Sequence, residues 1–414
     1  MSELHAAVDE ACAEHEDWLI AKRAWLHAHP ELSNREEQTA AYVAEQLRGL
    51  GLDEVRTGVS GHGVVGVLRG GLPGERVIAL RADMDALPVT GADGIGPVSH
   101  ACGHDCHVAV VLTTARVLAG LRDRLPGTVV FFFQPAEEGP PIGEIAGAKA
   151  MLDAGALAGV EPTMVFAMHV VFLPKGMVGY HVGNQFAAAC AVDITIRGVQ
   201  THGSSPWLGV DPMPAAAQVI LGASQLYRQV PASSPVSVSI GHVEDVGRFN
   251  IIGERVTLGG TMRASRQEDM PALKAGLERL AEHAAAAYGC TAELTYHFEI
   301  PAVRNEQAWF DAARPTIERV VGAGRVVPVE PVMGSDDMAE LVSAYGGLYL
   351  TYGVQDTRMD GDRVLPVEGG RGLAPNHHPA FYADDASLLD SVRVHAHVAV
   401  DHLLGTLVDA RVPR

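Results

Sequence analysis

Cysteine is scarce in this chain: five residues in 414, at Cys12, Cys102, Cys106, Cys190 and Cys290. An odd and scattered set is no disulfide framework, and it points to a reducing, cytoplasmic setting. Positive charge is also in short supply. Thirty-one Lys and Arg face 50 Asp and Glu, a formal net charge of −19, which argues against nucleic acid or an anionic membrane as partner. Long hydrophobic runs are missing, since no window holds the roughly 18 uninterrupted apolar residues of a membrane-spanning helix. The opening stretch MSELHAAVDEACAEHEDWLIAKRAWLHAHPEL has neither the basic end nor the apolar centre of a signal peptide. No internal repeat or low-complexity tract is visible. What remains is the composition of a globular enzyme, 47% hydrophobic and 20% charged, with mean hydropathy +0.11. The length exceeds one ordinary core, so two domains are expected.

The pattern along the chain supports that division. The first stretch reads as helical, and HPELSNREEQTAAYVAEQLRGLGL offers Ser33 or Asn34 as an N-cap with Glu36 and Glu37 in the first turn. GVVGVLRG, RVIALRADMDAL, GTVVFFFQPAEEG and TMVFAMHVV are short apolar runs broken by glycine, hence strands, and HVAVVLTTARVLAGLRDRL is a helix. Strands alternating with helices predict an α/β domain whose mostly parallel sheet is sandwiched by helices. From about Ala187 the texture changes to clear alternation in ACAVDITIRGVQ, PVSVSIGHVEDV, ERVTLGGTMRA and TAELTYHFEI, with two helices between them. This predicts an inserted, smaller α+β domain over residues 187–299, with the larger domain formed by 1–186 and 300–414. The last helix is expected in DDASLLDSVRVHAHVAVDHLLGTLV. DTRMDGDRVLPVEGGRGLAPNHHP is a long polar loop of the functional or mobile kind.

Against the scarcity of cysteine, SHACGHDCHVAVV packs two Cys and three His into eight residues. His100, Cys102, His104, Cys106 and His107 are all candidate metal ligands. Cys102 and His104 sit at a strand-to-helix junction, where α/β sheets bind ligands. The spacing leaves open a metal site or a crowded polar loop. In QPAEEG, Glu137 and Glu138 follow an apolar strand; one could hold a metal and the other a water beside it. His169 lies in an apolar strand, and His377 and His378 stand before Pro379. Asp83 and Asp85, two apart at a strand end, suit the orienting of a ligand imidazole. His202 falls in a glycine-flanked turn, GVQTHGSSP. Taken singly, each also reads as a core histidine, a solvated carboxylate or a surface turn.

In their order, RADMDALP, HACGHDCHVAVVL, FQPAEEG, AMHV, GVQTHGSSP, FNIIGERVTLGGTMR, GSDDM and NHHPAF resemble the dinuclear metallo-aminoacylases. That family includes aminoacylases, hippurate hydrolases and auxin-conjugate amidohydrolases, and the resemblance covers nearly the whole chain. It implies two divalent metal ions, Zn²⁺, Mn²⁺ or Co²⁺, in the larger domain. Cys102 takes the bridging position, and His104, Glu138, His169 and His377 are further ligands. Glu137 is then the general base, with Asp83 and Asp85 in support. His202, from the smaller domain, polarises the scissile carbonyl in the partner subunit of a homodimer formed through that domain. Asn250 and Arg263 match positions that bind the substrate's carboxylate end. Cys106 and His107 read as first-turn helix residues near the site. The chain departs from the family in the longer PPIGEIAGAKAM after Gly139, in Asp336 and Met338 of GSDDM, and in the loop before His377.

The expected function is metal-dependent hydrolysis of a C–N bond in a small molecule, an N-acyl amino acid or an aryl amide. Another C–N bond (a dipeptide, a carbamoyl group, an aromatic amine) is the alternative from the same chemistry. A non-catalytic metal or ligand binder is the reading from a different class. Retention of both Glu137 and Glu138 with every expected ligand speaks against the binder.

Overall fold

The apolar runs become an eight-stranded sheet in the computed structural model, which describes residues 3–92, 96–145 and 147–407. The sheet order is Glu54–Val59, Gly63–Arg69, Pro126–Gln134, Leu72–Asp83, Met164–Pro174, Gly347–Gln355, Val178–Tyr180 and Val326–Pro328. The middle four strands are mutually parallel, while the first two pair antiparallel. Gly347–Gln355 is buried along its whole length, as expected of a parallel strand covered on both faces. The helix His104–Gly120 is buried nearly all round and packs against Leu388–Leu403 and Glu16–Ala28. One continuous apolar core joins these elements.

Chain contacts divide the protein into two units: 1–183 with 304–330 and 340–414, and 184–303 with 331–339. The second unit has an antiparallel sheet in the order Val236–Asp245, Arg255–Ala264, Ala188–Arg197, Thr291–Ile300. Alternate residues of Ala188–Arg197 (Val192, Ile194 and Ile196 among them) meet the helices Met213–Ala223 and Met270–Ala287 in a separate core. Residues 331–339 belong with this unit rather than with the 300–414 stretch of the larger domain expected from the sequence. Val332 donates its N–H to the Gln185 carbonyl (2.9 Å) and Ala187 to that of Gly334 (2.8 Å), which ties the segment to the unit's first strand.

Some local expectations change. The helix Glu37–Gly49 is not capped by Ser33 or Asn34. The Glu31 carboxylate accepts from Gln38 N–H (3.1 Å) and Thr39 N–H (2.8 Å) instead, leaving Ser33 and Asn34 for other partners. The long loop before His377 contains a hairpin, Thr357–Asp360 paired with Arg363–Pro366. The last helix spans Leu388–Leu403, and the predicted terminal residue Val408 lies outside the described residues. All five cysteines are free and buried. Among the described residues, no helix is long and apolar enough to cross a membrane.

Candidate metal centre and active site

The centre forms at the carboxyl ends of the parallel strands, where side chains from successive strand ends converge. Asp83 ends its strand opposite Gln134, and His169 stands opposite Thr351. The ladder between the Asp83 and His169 strands stops at Leu80–Phe166. Beyond it, His107 bridges them: its Nδ1–H donates to Asp83 Oδ1 (2.5 Å), and its Nε2 accepts the Val170 N–H (2.9 Å). Both ring nitrogens are thereby used, so His107 is a strut rather than a metal ligand. Arg81, also buried, donates to Asp83 Oδ2 (2.6 Å) and to Gln134 Oε1 (3.0 Å).

Around Cys102 the remaining groups gather. Its Sγ lies 3.4 Å from His169 Nε2 and 3.3 Å from His377 Nε2. The His169 Nδ1–H donates to the Val170 carbonyl (2.8 Å), so Nε2 presents a lone pair toward the sulfur. His104 donates Nδ1–H to Asp85 Oδ1 (3.2 Å), and Asp85 Oδ2 accepts the Ser33 hydroxyl (2.7 Å) and the Glu138 N–H (2.9 Å). This is the carboxylate–imidazole arrangement that fixes a ligand's tautomer. His104 Nε2 then faces Glu138 Oε1 at 3.7 Å and Glu137 Oε2 at 3.9 Å. Asn376 donates to the carbonyls of Cys102 (3.0 Å) and Val170 (2.9 Å), which seats the His377 loop against the helix start. His377 itself adopts a left-handed backbone, φ 69°, with its N–H on the Ala101 carbonyl (2.8 Å).

Of five groups of possible ligands among the described residues, two contain Cys102, namely Cys102–His104–His169 and Cys102–Glu138–His377, each with its donor atoms within 4.8 Å of one another. They share the sulfur. Glu138 Oε1 is buried 3.2 Å from His377 Nε2, yet neither it nor His104 Nε2 has a hydrogen-bond partner among the described residues. Buried donor atoms of these types converging on one pocket suit a cation. The electrostatics agree. Burial, then the Glu138 and Glu137 carboxylates, push the Cys102 thiol well above its ordinary range. Burial would lower His104, but Asp83, Asp85 and Glu138 outweigh it and raise the imidazole to about 10. The pocket therefore carries surplus negative charge of the kind a divalent ion offsets. Cys, His and carboxylate are the donor types of Zn²⁺ and similar borderline ions, so the residues fit the implied metals.

The other predicted residues have settings of their own. Cys106 faces Arg23 and Asp105 in a buried network behind the helix. His100 is buried with both ring nitrogens unpartnered among the described residues; burial above all lowers it to about 4. Neither belongs to a ligand cluster. His378 turns outward, with its Nδ1 accepting the Ala380 N–H (3.0 Å). In the second unit, His202 pairs with Ile251, and its Nδ1 accepts from Ser204 N–H (3.0 Å) and Oγ (2.8 Å). That arrangement puts the proton on an exposed Nε2. Asn250 gives its carbonyl to Gly203 N–H (3.0 Å), beside the same turn. Arg263 is half-buried on the strand Arg255–Ala264, opposite Ala189. Sequence reading missed Asn376, Ser33 and the bridging task of His107. Arg81, Gln134, His107 and Asn376 all stand inside motifs singled out in the sequence, though nothing there marks their partners.

Residues 79–401 match the family described as peptidase family M20/M25/M40. The chain belongs to this family. The N-acetylcysteine deacetylase of Bacillus subtilis is 33% identical over 395 residues, covering 92% of this chain and 96% of that protein. The IAA-amino acid hydrolase ILR1-like 2 of Arabidopsis thaliana is 31% identical over 400 residues, 94% of this chain and 85% of the relative. Among solved structures, the YXEP protein of Bacillus subtilis, a dinuclear metal binding peptidase of the M20 family, superposes with TM-score 0.74 at 31% identity. It covers 95% of this chain and 99% of its own. The family membership carries the class of chemistry: this is a metal-dependent hydrolase of C–N amide bonds.

Proposed function

We propose that the protein is an amidohydrolase of small N-acyl amino acids or related aryl amides, with two divalent ions (Zn²⁺, Mn²⁺ or Co²⁺) around Cys102. The observation that carries this reading is the pair of ligand clusters sharing one sulfur. Relatives named for acetyl and auxin conjugates of amino acids support the substrate class. Cys102, His104 and His169 would hold one ion and Cys102, Glu138 and His377 the other. When bound, these ions supply Lewis acidity, polarising the scissile carbonyl and bringing the pKa of water down to about 7. Glu137, next to the ligand Glu138, takes the proton of the attacking water and returns it to the leaving nitrogen. Asp85 and Asp83 keep His104 and His107 in their tautomers while this happens. His202 offers a protonated Nε2 to the developing oxyanion, an effect worth about 3 kcal/mol. Arg263 and Asn250 bind the carboxylate end of the substrate.

His202 acts, in this proposal, within the partner subunit of a cytoplasmic homodimer formed through the second unit. Support comes from that unit's surface, where Leu221 and Tyr227 are exposed beside the unpaired edge of Val236–Asp245. Mixing inactive His202→Ala with inactive Glu137→Ala subunits should restore partial activity. No recovery despite subunit exchange would count against the shared site.

The substrate reading is tested by a mass-spectrometric screen of N-acetyl, N-benzoyl and indole-acyl amino acids, dipeptides and aminobenzoates. Manganese- or zinc-loaded enzyme is compared with chelated enzyme and with Glu137→Ala. Turnover should fall about 10³-fold in Glu137→Ala while its metal content stays normal. Cleavage confined to dipeptides would overturn the acyl-amino-acid assignment.

A further inference from the structure

Glu36 stands at the start of the helix Glu37–Gly49, yet its side chain is wholly buried. Its Oε1 accepts the Ala136 N–H at 2.8 Å, from a residue a hundred positions away, and its Oε2 has no hydrogen-bond partner among the described residues. Ala136 is held in a left-handed backbone, φ 55°, immediately before Glu137. An alanine does not rest there unaided, because the Cβ disfavours that region. On the other side of Glu137, the Glu138 N–H is taken by Asp85 Oδ2 (2.9 Å). The two amides that flank Glu137 are thus each pinned by a buried carboxylate from another element.

The residues before Glu36 hold the far end of the same loop. Asn34 donates to the Ile145 carbonyl (3.0 Å) and to Glu144 Oε2 (3.1 Å), and Arg35 makes a two-point contact with Glu144 (2.8 and 3.0 Å). Three consecutive residues therefore grip both feet of the 136–145 segment, including the stretch after Gly139 that is longer than in the family pattern. The buried foot needs an acceptor, not a charge. Burial, and then the facing Asp85, bring the Glu36 carboxyl up to about 7, so the neutral form is readily reached.

We propose that Glu36 is a positioning residue: by accepting the Ala136 N–H it holds the turn that aims the Glu137 carboxylate at the Cys102 centre. This rests on reading Glu137 as the general base. The test compares Glu36→Gln, Glu36→Asp and Glu36→Leu in the full-length, manganese-loaded protein. Gln keeps an acceptor oxygen at the same reach, Asp withdraws it while keeping the charge, and Leu removes it. The Asp and Leu variants should lose about 10- to 100-fold in kcat with KM and metal content unchanged, because small misplacements of a catalytic group cost that much. Gln should restore kcat to within about threefold with an unaltered pH–rate profile. Amide hydrogen exchange of the 134–139 segment should quicken about tenfold in Asp and Leu but not in Gln. Wild-type kcat and exchange in the Asp variant would overturn the proposal, as would a Gln variant as slow as Leu. A metal content that falls with the rate would do so too. The exchange measurement needs no substrate. An inactive wild type with these exchange differences would count against the hydrolase reading alone, and active enzyme without them against the clamp alone.

Discussion

At the scale of single residues, Cys102 holds the centre together. It touches two imidazoles from strands and loops far apart in the chain, and its thiol is pushed up by burial and by two carboxylates. A proton must leave that sulfur for a cation to bind, so metal uptake should release protons and weaken as pH falls. Cys102→Ala should lose metal and activity together. Metal analysis beside turnover checks this, and near-normal metal content would remove Cys102 from the ligand set. The candidate donors were legible in the sequence because each motif keeps them within a few residues. Asp83 and Asp85 were legible as supports, but the other supports were not. Asn376 works through two carbonyls that belong to Cys102 and Val170, and His107 through a backbone amide of a neighbouring strand. Nothing in local spacing marks an asparagine or histidine for such partners.

At the scale of elements, strand and helix identities follow from apolar periodicity, while their ends are set by contacts. The helix His104–Gly120 begins directly after Gly103, whose left-handed φ of 88° swings the chain from Cys102 into the helix. A Cβ there would lie 2.3 Å from Val170 Cγ2, with the Phe381 ring 3.2 Å away. Gly103→Ala should destabilise the protein by about 3 kcal/mol through backbone strain and overpacking. It should also disturb His104. Urea unfolding and metal titration together check both effects. The helix Glu37–Gly49 makes the converse point. Ser33 and Asn34 have good capping chemistry, but Ser33 is taken by Asp85 and Asn34 by the 144–145 loop. The hairpin at Thr357–Asp360 and Arg363–Pro366 escaped notice because its glycine and charge content reads as loop.

At the scale of the larger unit, the first and last described helices close the structure through polar contacts as well as apolar ones. His5 Nε2 donates to Asp401 Oδ1 (2.7 Å), Thr316 (2.5 Å) and Arg319 (2.7 Å) donate to Oδ2, and His397 pairs with Asp9 (2.9 Å). Burial would raise the Asp401 carboxyl, but Thr316, Arg319 and His5 outweigh it and hold it below its usual value. A depressed carboxyl stabilises the fold above its unfolded pKa of about 3.9, and that contribution is lost as pH falls through the lower folded value. Asp401→Asn should therefore destabilise by about 1–3 kcal/mol at pH 7. The gap to wild type should narrow below about pH 4, as urea unfolding at pH 7, 5 and 3.5 would read. A constant gap would assign the loss to geometry rather than charge.

The sequence by itself determined the class of chemistry and the kind of fold. Donor-rich motifs such as HACGHD and QPAEEG carry their chemistry locally, and the change from buried runs to strict alternation near Ala187 announces a second kind of sheet. The tertiary structure alone decided which of the crowded histidines and cysteines face one another. Cys102 and His377 are separated by 275 positions and meet only because the strand ends and the Asn376 loop bring them there. It also decided that 331–339 joins the second unit and that Glu36 reaches Ala136. The reason is physical: a residue's type states which bonds it can make. Which of them it does make depends on the neighbour that reaches it first.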